Sequence, residues 1–171
     1  MKRFRQKLQQ VADFLTTSKI ANAKTMFILT ASVVIKKPID LVFNFMLDAG
    51  NYPRWITMLK SVNVKGNFIT GMRFEEVTLL RGKEKHSQGV ISEVVPNKLI
   101  KMEILEVISG PRVLPVRTWE FTEENGATEI IWTTIVRTKG MMKLFEFILP
   151  QRFDKTVRRF LQNLKQILEN G

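Results

Sequence analysis

The sequence predicts an α+β domain, in which one long amphipathic helix follows a series of short strands. Residues 141–171 carry six apolar residues at the 3.6-residue spacing of one helical stripe, namely Phe153, Val157, Phe160, Leu161, Leu164 and Leu168. Residues 26–139 read instead as short alternating runs that Gly, Pro and Asn separate. An isolated helix cannot bury such a stripe, so we expect it to pack on the sheet that these strands form.

The predicted elements follow in the order strand, two short helices, six strands and long helix. The first strand is expected at 26–35, because its residues alternate and are rich in β-branched side chains. Pro38 suits the first turn of a helix that reaches about Leu47, and a second short helix is predicted from about Pro53 to Leu59. The other strands are predicted at 61–65, 72–80, 85–94, 99–108, 113–122 and 128–136.

Length and composition restrict the class of protein. The 171 residues fit one domain, and the chain contains no Cys, which excludes disulfides and thiolate nucleophiles. The longest nearly apolar run, at 26–35, is about half of what a membrane-spanning helix needs. The basic N-terminus is not followed by the continuous apolar block of a secretory signal. We therefore expect a cytoplasmic protein, with peripheral membrane attachment as an alternative.

Residues 1–25 form a separate basic extension. They hold six basic residues and one acidic residue, a net charge of +5 out of +11 for the chain. Their apolar residues are spaced as on an amphipathic helix, namely Phe4, Leu8, Val11 and Leu15. Such a helix either binds an anionic membrane surface or packs its stripe on the domain as a solvated appendage. No nucleic-acid partner is predicted, because aromatic residues are not interleaved with the basic ones.

Several short segments follow one another along the domain in a specific order and spacing. They are Ile35–Phe43, Asn51–Trp55, Gly89–Pro96, Trp119–Phe121 with Gly126–Thr128, and Leu164–Glu169. In this order the chain resembles the START-like or SRPBCC superfamily, the helix-grip fold of the birch-pollen allergen class. It looks most like the polyketide cyclase/dehydrase and lipid-transport branch. The resemblance implies a curved seven-stranded antiparallel sheet wrapped around the C-terminal helix, and a ligand cavity between them, within residues 26–171.

Alternation along the strands predicts which side chains face that cavity. Arg117, Trp119 and Phe121 share one face, and its aromatic residues make it the inner face. The same rule gives two further inward rows, namely Met72, Phe74, Glu76, Thr78 and Leu80, and Ile100, Met102 and Ile104. The predicted ligand-binding residues are Trp55, Met72, Phe74, Glu76, Met102, Arg117, Trp119, Phe145 and Phe153.

Two of these residues, Glu76 and Arg117, are charged and lie among apolar neighbours. A buried charge without a partner costs several kcal/mol. The two side chains either pair with each other or reach the cavity mouth. Alternatively, Arg117 binds a carboxylate or phosphate of the ligand in bidentate fashion. Phe145 belongs to a segment before Pro150, which is expected to kink or restart the long helix and leave a movable apolar flap.

The sequence supplies few residues for catalysis. His86 is the only histidine, lies next to a polar hairpin tip, and has Ser87 on the opposite strand face. A histidine metal cluster needs a second His, and Glu75 and Glu76 diverge across the sheet. We therefore predict no catalytic residue, metal or cofactor.

The predicted function is to bind, carry or sequester a small hydrophobic ligand, such as a lipid, isoprenoid or polyketide-like compound, with or without an anionic group. One alternative is an enzyme of the polyketide cyclase or aromatase type, in which the cavity positions a flexible chain. The second alternative is an interaction module at a membrane surface, with residues 1–25 as its tether.

Overall fold

The computed structural model describes residues 26–64, 66–80, 82–109, 113–138 and 149–171. The strands are β1 Met26–Ile35, β2 Leu59–Asn63, β3 Arg73–Leu80, β4 Lys83–Val95, β5 Leu99–Val107, β6 Val113–Glu124 and β7 Ala127–Thr138. The helices are α1 Ile39–Leu47, α2 Tyr52–Trp55 and α3 Leu149–Asn170, with a 3₁₀ turn at Ala49–Asn51. The helix predicted within 1–25 and the flap at 141–148 lie outside the described residues.

The seven strands form one antiparallel sheet in the order β1-β7-β6-β5-β4-β3-β2. The sheet curves into a half-barrel, and α3 packs on its concave face. The stripe of α3 is buried there, namely Val157, Phe160, Leu161, Leu164 and Leu168. The predicted fold class, a curved seven-stranded sheet around a long C-terminal helix, is confirmed.

Two predicted boundaries are wrong at the second short helix. It ends at Trp55 instead of Leu59, because Ile56 adopts φ −91° and ψ 84°, which is not helical. A turn closed by a 2.8 Å hydrogen bond from Leu59 N to Ile56 O then starts β2 two residues earlier than predicted. Pro150 lies in the first turn of the described α3, where its missing N–H breaks no helical hydrogen bond.

The strand register arranges inner-facing side chains in rows across the sheet. One row joins β1, β7, β6 and β5 through Ala31, Trp132, Trp119 and Ile100. The next row, closer to the start of β1, consists of Leu29, Thr134, Arg117 and Met102. The first row is therefore dominated by two indoles, whereas the second places a guanidinium and a hydroxyl among apolar groups.

Polar contacts fasten the C-terminal half of α3 to the sheet. Glu169 Oε1 accepts a 2.7 Å hydrogen bond from the backbone N of Lys36. Lys165 Nζ donates to Val34 O over 2.8 Å, and Asn163 Nδ2 donates to Trp55 O over 3.2 Å. These bonds fix the helix at the end of β1 and on α2.

Candidate functional site

An interior pocket of about 130 Å³ lies between the concave face of the sheet and α3. It is lined by Leu29, Ile56, Met58, Leu59, Thr78, Pro115, Arg117, Trp132, Thr134, Val136, Thr156, Val157 and Phe160. Most of these side chains are apolar, and the polar ones are three threonines and Arg117. For comparison, an apolar protein cavity of roughly 150 Å³ holds benzene. The pocket described by these residues therefore fits a ring or a short branched chain.

Arg117 and Glu76 form a bidentate ion pair at the wall of the pocket. Arg117 Nη1 donates to Glu76 Oε2 and Nη2 donates to Oε1, each over 2.8 Å. Ser87 Oγ donates to the same Oε1 over 3.4 Å. Burial alone would lower the pKa of Arg117, but attraction and hydrogen bonds from Glu76 outweigh it and raise that pKa. The predicted pairing is confirmed, and it engages one N–H of Nη1 and one of Nη2.

An aromatic cluster fills the interior beside the pocket; it consists of Tyr52, Trp55, Trp119, Trp132 and Phe160. Three pairs of its rings meet edge to face, among them Tyr52 and Trp119 at 5.8 Å and 82°, and Trp55 and Trp132 at 5.7 Å and 76°. Trp132 also stacks on Phe160 of α3, with 6.5 Å between ring centroids. The cluster joins α2, the sheet and the helix in one packed layer.

Four polar atoms of the aromatic cluster are buried without a hydrogen-bond partner in the described structure. They are Tyr52 Oη and the Nε1 atoms of Trp55, Trp119 and Trp132. Edge-to-face contacts place the electropositive ring edge on a π face, which compensates part of a lost hydrogen bond. Burial raises the pKa of the Tyr52 phenol, and the Arg117 cation opposes this only in part. Tyr52 is therefore a neutral phenol close to Arg117.

The structure gives the predicted ligand-binding residues different surroundings. Arg117 lines the pocket, and its neighbours Glu76 and Met102 are buried beside it. Trp55 and Trp119 are fully buried in the aromatic cluster, outside the pocket lining. Their direct contact with a ligand stays a prediction.

Phe74 packs on the sheet instead of lining the pocket. A Cβ added to Gly89 would stand 2.4 Å from Phe74 Cζ and 2.6 Å from Glu103 O, so the ring occupies the space above this glycine. Met72 is half-buried and immediately precedes β3. Leu80, expected on the inward row, is 42% exposed at the end of β3. Contact of Phe74 or Met72 with a ligand remains a prediction.

Two predicted site residues, Phe145 and Phe153, have side chains outside the described part of the structure. Phe145 lies outside the described residues. Phe153 belongs to α3, but its side chain is outside the described part of the structure. Both stay predictions.

The pocket also contains residues that strand alternation did not identify. Trp132, Thr134 and Val136 of β7 all line it. Residues 130–134 are buried on both faces of β7, so alternation in hydropathy could not reveal which side chains point inward. The pairing of β7 with β6 shows which of its side chains face inward, because Thr134 stands opposite Arg117 in the register.

His86 has the surroundings expected from the sequence. Its side chain is half-exposed, and Nε2 lies 3.6 Å from Glu84 Oε2. Ser87 points to the opposite, buried face. Within the described ranges, no group of three His, Cys, Asp or Glu side chains is arranged to hold a metal ion. The helices of those ranges are also too short or too polar to cross a bilayer.

The fold and pocket define a protein of the helix-grip class. The chain belongs to the family described as polyketide cyclase / dehydrase and lipid transport, which matches residues 26–169. A comparison with curated proteins found no match.

Solved structures with the same fold come from several bacteria. A protein from Thermus thermophilus has a TM-score of 0.69 at 16% identity, covering 83% of this chain and 97% of that one. The ZhuI aromatase/cyclase from a Streptomyces species has a TM-score of 0.68 at 15% identity, covering 85% and 95%. A START superfamily protein from Mycobacterium smegmatis has a TM-score of 0.66 at 12% identity, covering 84% and 97%. At these identities the likeness establishes the START/SRPBCC fold.

Proposed function

We propose that this protein binds and carries a small hydrophobic ligand in the interior pocket between the sheet and α3. The observation that supports this most is a largely apolar pocket with few polar groups, at the place where the family's fold leaves room for a ligand. Apolar enclosure supplies affinity, and a small number of polar side chains fixes orientation. The volume favours a compact ring or a short isoprenoid-like chain over a long acyl chain.

Titration with toluene tests this function, because toluene matches the size and polarity of the pocket. We expect saturable shifts of the Trp132 indole signal in ¹H–¹⁵N NMR spectra. Thr134→Leu places a larger apolar side chain at the pocket wall and should abolish these shifts. Thr122→Leu makes the same change at an exposed position of β6 and serves as the control. Equal toluene binding by both variants would argue against this pocket.

A second candidate is an enzyme of the cyclase or aromatase type, since the ZhuI aromatase/cyclase has a similar fold. Proton transfer in such an enzyme needs a group that titrates near neutral pH. Arg117 is the titratable residue in the described lining, and its pKa is raised. The pocket therefore supports binding better than acid–base catalysis. Turnover of an added linear polyketone by the purified protein would favour the enzyme.

The basic residues 1–25 support a further proposal, that the domain is tethered to an anionic membrane surface. Six basic side chains in this segment give enough charge for attraction to acidic lipids. Deleting residues 1–24 should abolish salt-sensitive binding to phosphatidylserine vesicles and leave toluene binding unchanged. Absence of vesicle binding by the full-length protein at low salt would remove this proposal.

A further inference from the structure

The described pocket wall has one charged side chain, that of Arg117, and some of its N–H donors make no hydrogen bond in the described structure. Two N–H groups of Arg117 donate to Glu76. A guanidinium has further N–H donors and no acceptor, and no other hydrogen bond of Arg117 occurs in the described structure. Arg117 lines the pocket with 18% of its side chain exposed. Its remaining donors are therefore available to a molecule in the pocket.

Acceptors are scarce around the same pocket. Both oxygens of Glu76 already accept from Arg117, and Oε1 also accepts from Ser87. The lining residue Trp132 adds a further donor, an indole N–H that has no hydrogen-bond partner in the described interior. This side of the protein interior therefore offers more donors than acceptors. A ligand that brings an acceptor gains a hydrogen bond, whereas one that brings only a donor depends on the threonine hydroxyls.

The charge of the Arg117–Glu76 pair sets a second condition on the ligand. Glu76 is 3% exposed and neutralises Arg117 at hydrogen-bond distance. A carboxylate in the pocket would add a second buried anion beside Glu76, and like charges in a low-dielectric interior repel strongly. A carbonyl oxygen accepts from Arg117 without adding charge.

We propose, on the premise that the interior pocket is the ligand site, that it selects neutral compounds bearing a carbonyl acceptor, and that Arg117 is the residue that recognises the carbonyl. Thr134 stands opposite Arg117 on the neighbouring strand and lines the same pocket. The hydroxyls of Thr134 and Thr78 make no side-chain hydrogen bond in the described structure, so they can adjust to the carbonyl group. The ligand class is a ketone or a similar neutral carbonyl compound with an apolar ring or chain.

Three probes of one shape test the selectivity of the wild-type protein. They are acetophenone, its alkene counterpart α-methylstyrene, and benzoate. Binding is measured by NMR titration at pH 7, and the affinity of each neutral probe is divided by its water-to-cyclohexane partition coefficient, so that interactions inside the pocket are compared. We expect acetophenone to bind at least about tenfold tighter than α-methylstyrene on this scale, as one hydrogen bond to a charged group provides. Measured directly at pH 7, benzoate should bind at least about tenfold more weakly than acetophenone.

The outcomes separate this inference from the proposed function. Equal corrected affinities of the two neutral probes would overturn the carbonyl selectivity and leave hydrophobic binding intact. Tighter binding of benzoate than of acetophenone would overturn the preference for neutral ligands. Failure of all three probes to bind would contradict the proposed function itself.

A charge substitution tests the role of Glu76 directly. Glu76→Gln keeps the size of the side chain and removes the charge that neutralises Arg117. We expect the affinity of benzoate relative to that of acetophenone to rise at least about tenfold, because the buried anion that repels benzoate is gone. Glu75→Gln makes the same change on the exposed face of β3 and should alter neither affinity. An unchanged relative affinity of benzoate in folded Glu76→Gln would contradict the proposal. If this variant does not fold, the comparison of the three probes with the wild-type protein decides whether the proposal holds.

Discussion

Arg117 on β6 and Glu76 on β3 share two parallel hydrogen bonds of 2.8 Å, although β5 and β4 lie between their strands. In a flat sheet, strands three spacings apart stand roughly 14 Å from each other, with side chains rising in parallel. Here the curvature turns the two side chains toward each other. The ion pair therefore braces the concave face from one side of the half-barrel to the other, next to the pocket.

Removing one partner of this pair should be costly. Glu76→Ala leaves Arg117 as a buried cation without a counter-charge, and we expect a loss of about 3–5 kcal/mol in the free energy of unfolding. The double variant Glu76→Leu with Arg117→Met removes both charges and should lose less than Glu76→Ala alone. Urea unfolding at pH 7 measures both. A double variant less stable than Glu76→Ala would show that the pair itself, and not the relief of an unpaired charge, dominates.

Gly89 should tolerate no side chain. Its added Cβ would stand 2.4 Å from the Phe74 ring and 2.6 Å from the backbone oxygen of Glu103. The ring can move, but the oxygen belongs to the neighbouring strand, so we expect Gly89→Ala to cost about 2 kcal/mol or more. Phe74→Leu in the same chain should recover part of this loss. Urea unfolding of both single variants and the double variant checks the coupling, and additive losses would contradict the contact.

Thr134→Leu should abolish toluene binding without lowering stability. The hydroxyl of Thr134 has no side-chain hydrogen bond in the described structure, and the added methyl groups enter the pocket instead of the packed aromatic cluster. We expect the melting temperature to stay equal or to rise, as is common when a functional cavity is filled. Thermal unfolding followed by circular dichroism provides the measurement. A clear fall in melting temperature would mean that this part of the interior is already closely packed.

The contact between Glu169 and the end of β1 should make the free energy of unfolding depend on pH. The hydrogen bond from the Lys36 amide lowers the pKa of Glu169 below its ordinary 4.5; burial opposes the shift, and Lys165 adds to it. A lowered folded-state pKa stabilises the fold above pH 4.5, and this contribution disappears as the pH falls through the folded-state pKa. The urea concentration at the midpoint of unfolding should therefore fall less between pH 7 and pH 3 in Glu169→Gln than in the wild type.

A charge control separates this contact from the general effect of losing one carboxylate. Glu124→Gln removes an exposed carboxylate at the end of β6. Its midpoint should fall between pH 7 and pH 3 as much as that of the wild type. Equal pH dependence of all three proteins would contradict a role for Glu169.

Most of the fold could be predicted from the sequence because the periodicity of the apolar residues and the positions of the turn residues indicate the same elements. The predicted β1 coincides with Met26–Ile35, and the α3 stripe is buried as expected from Val157 to Leu168. The second short helix could not be bounded, since Ile56, Met58 and Leu59 are apolar in either conformation. The pairing of Glu76 with Arg117 followed from two charges on inner faces. Their contact across two intervening strands depends on sheet curvature, which no local pattern encodes.

The pocket lining was harder to predict, because it depends on how the strands pair and not on any local pattern. Thr134 and Val136 belong to a strand buried on both faces, so only pairing with β1 and β6 shows which way they point. Trp55 has a large apolar side chain of the kind that lines cavities, but in the structure it packs against Tyr52 and Trp132. Strand alternation identifies the face of a side chain, and not whether a neighbouring ring or a ligand covers it.

A crystal structure of the full chain equilibrated with toluene tests most directly whether the pocket between the sheet and α3 binds an apolar ligand. We expect ring-shaped electron density inside the half-barrel, in contact with Leu29, Val157 and Phe160 and beside Arg117. A structure in which toluene occupies only surface sites, with side chains filling the space between the sheet and α3, would contradict it.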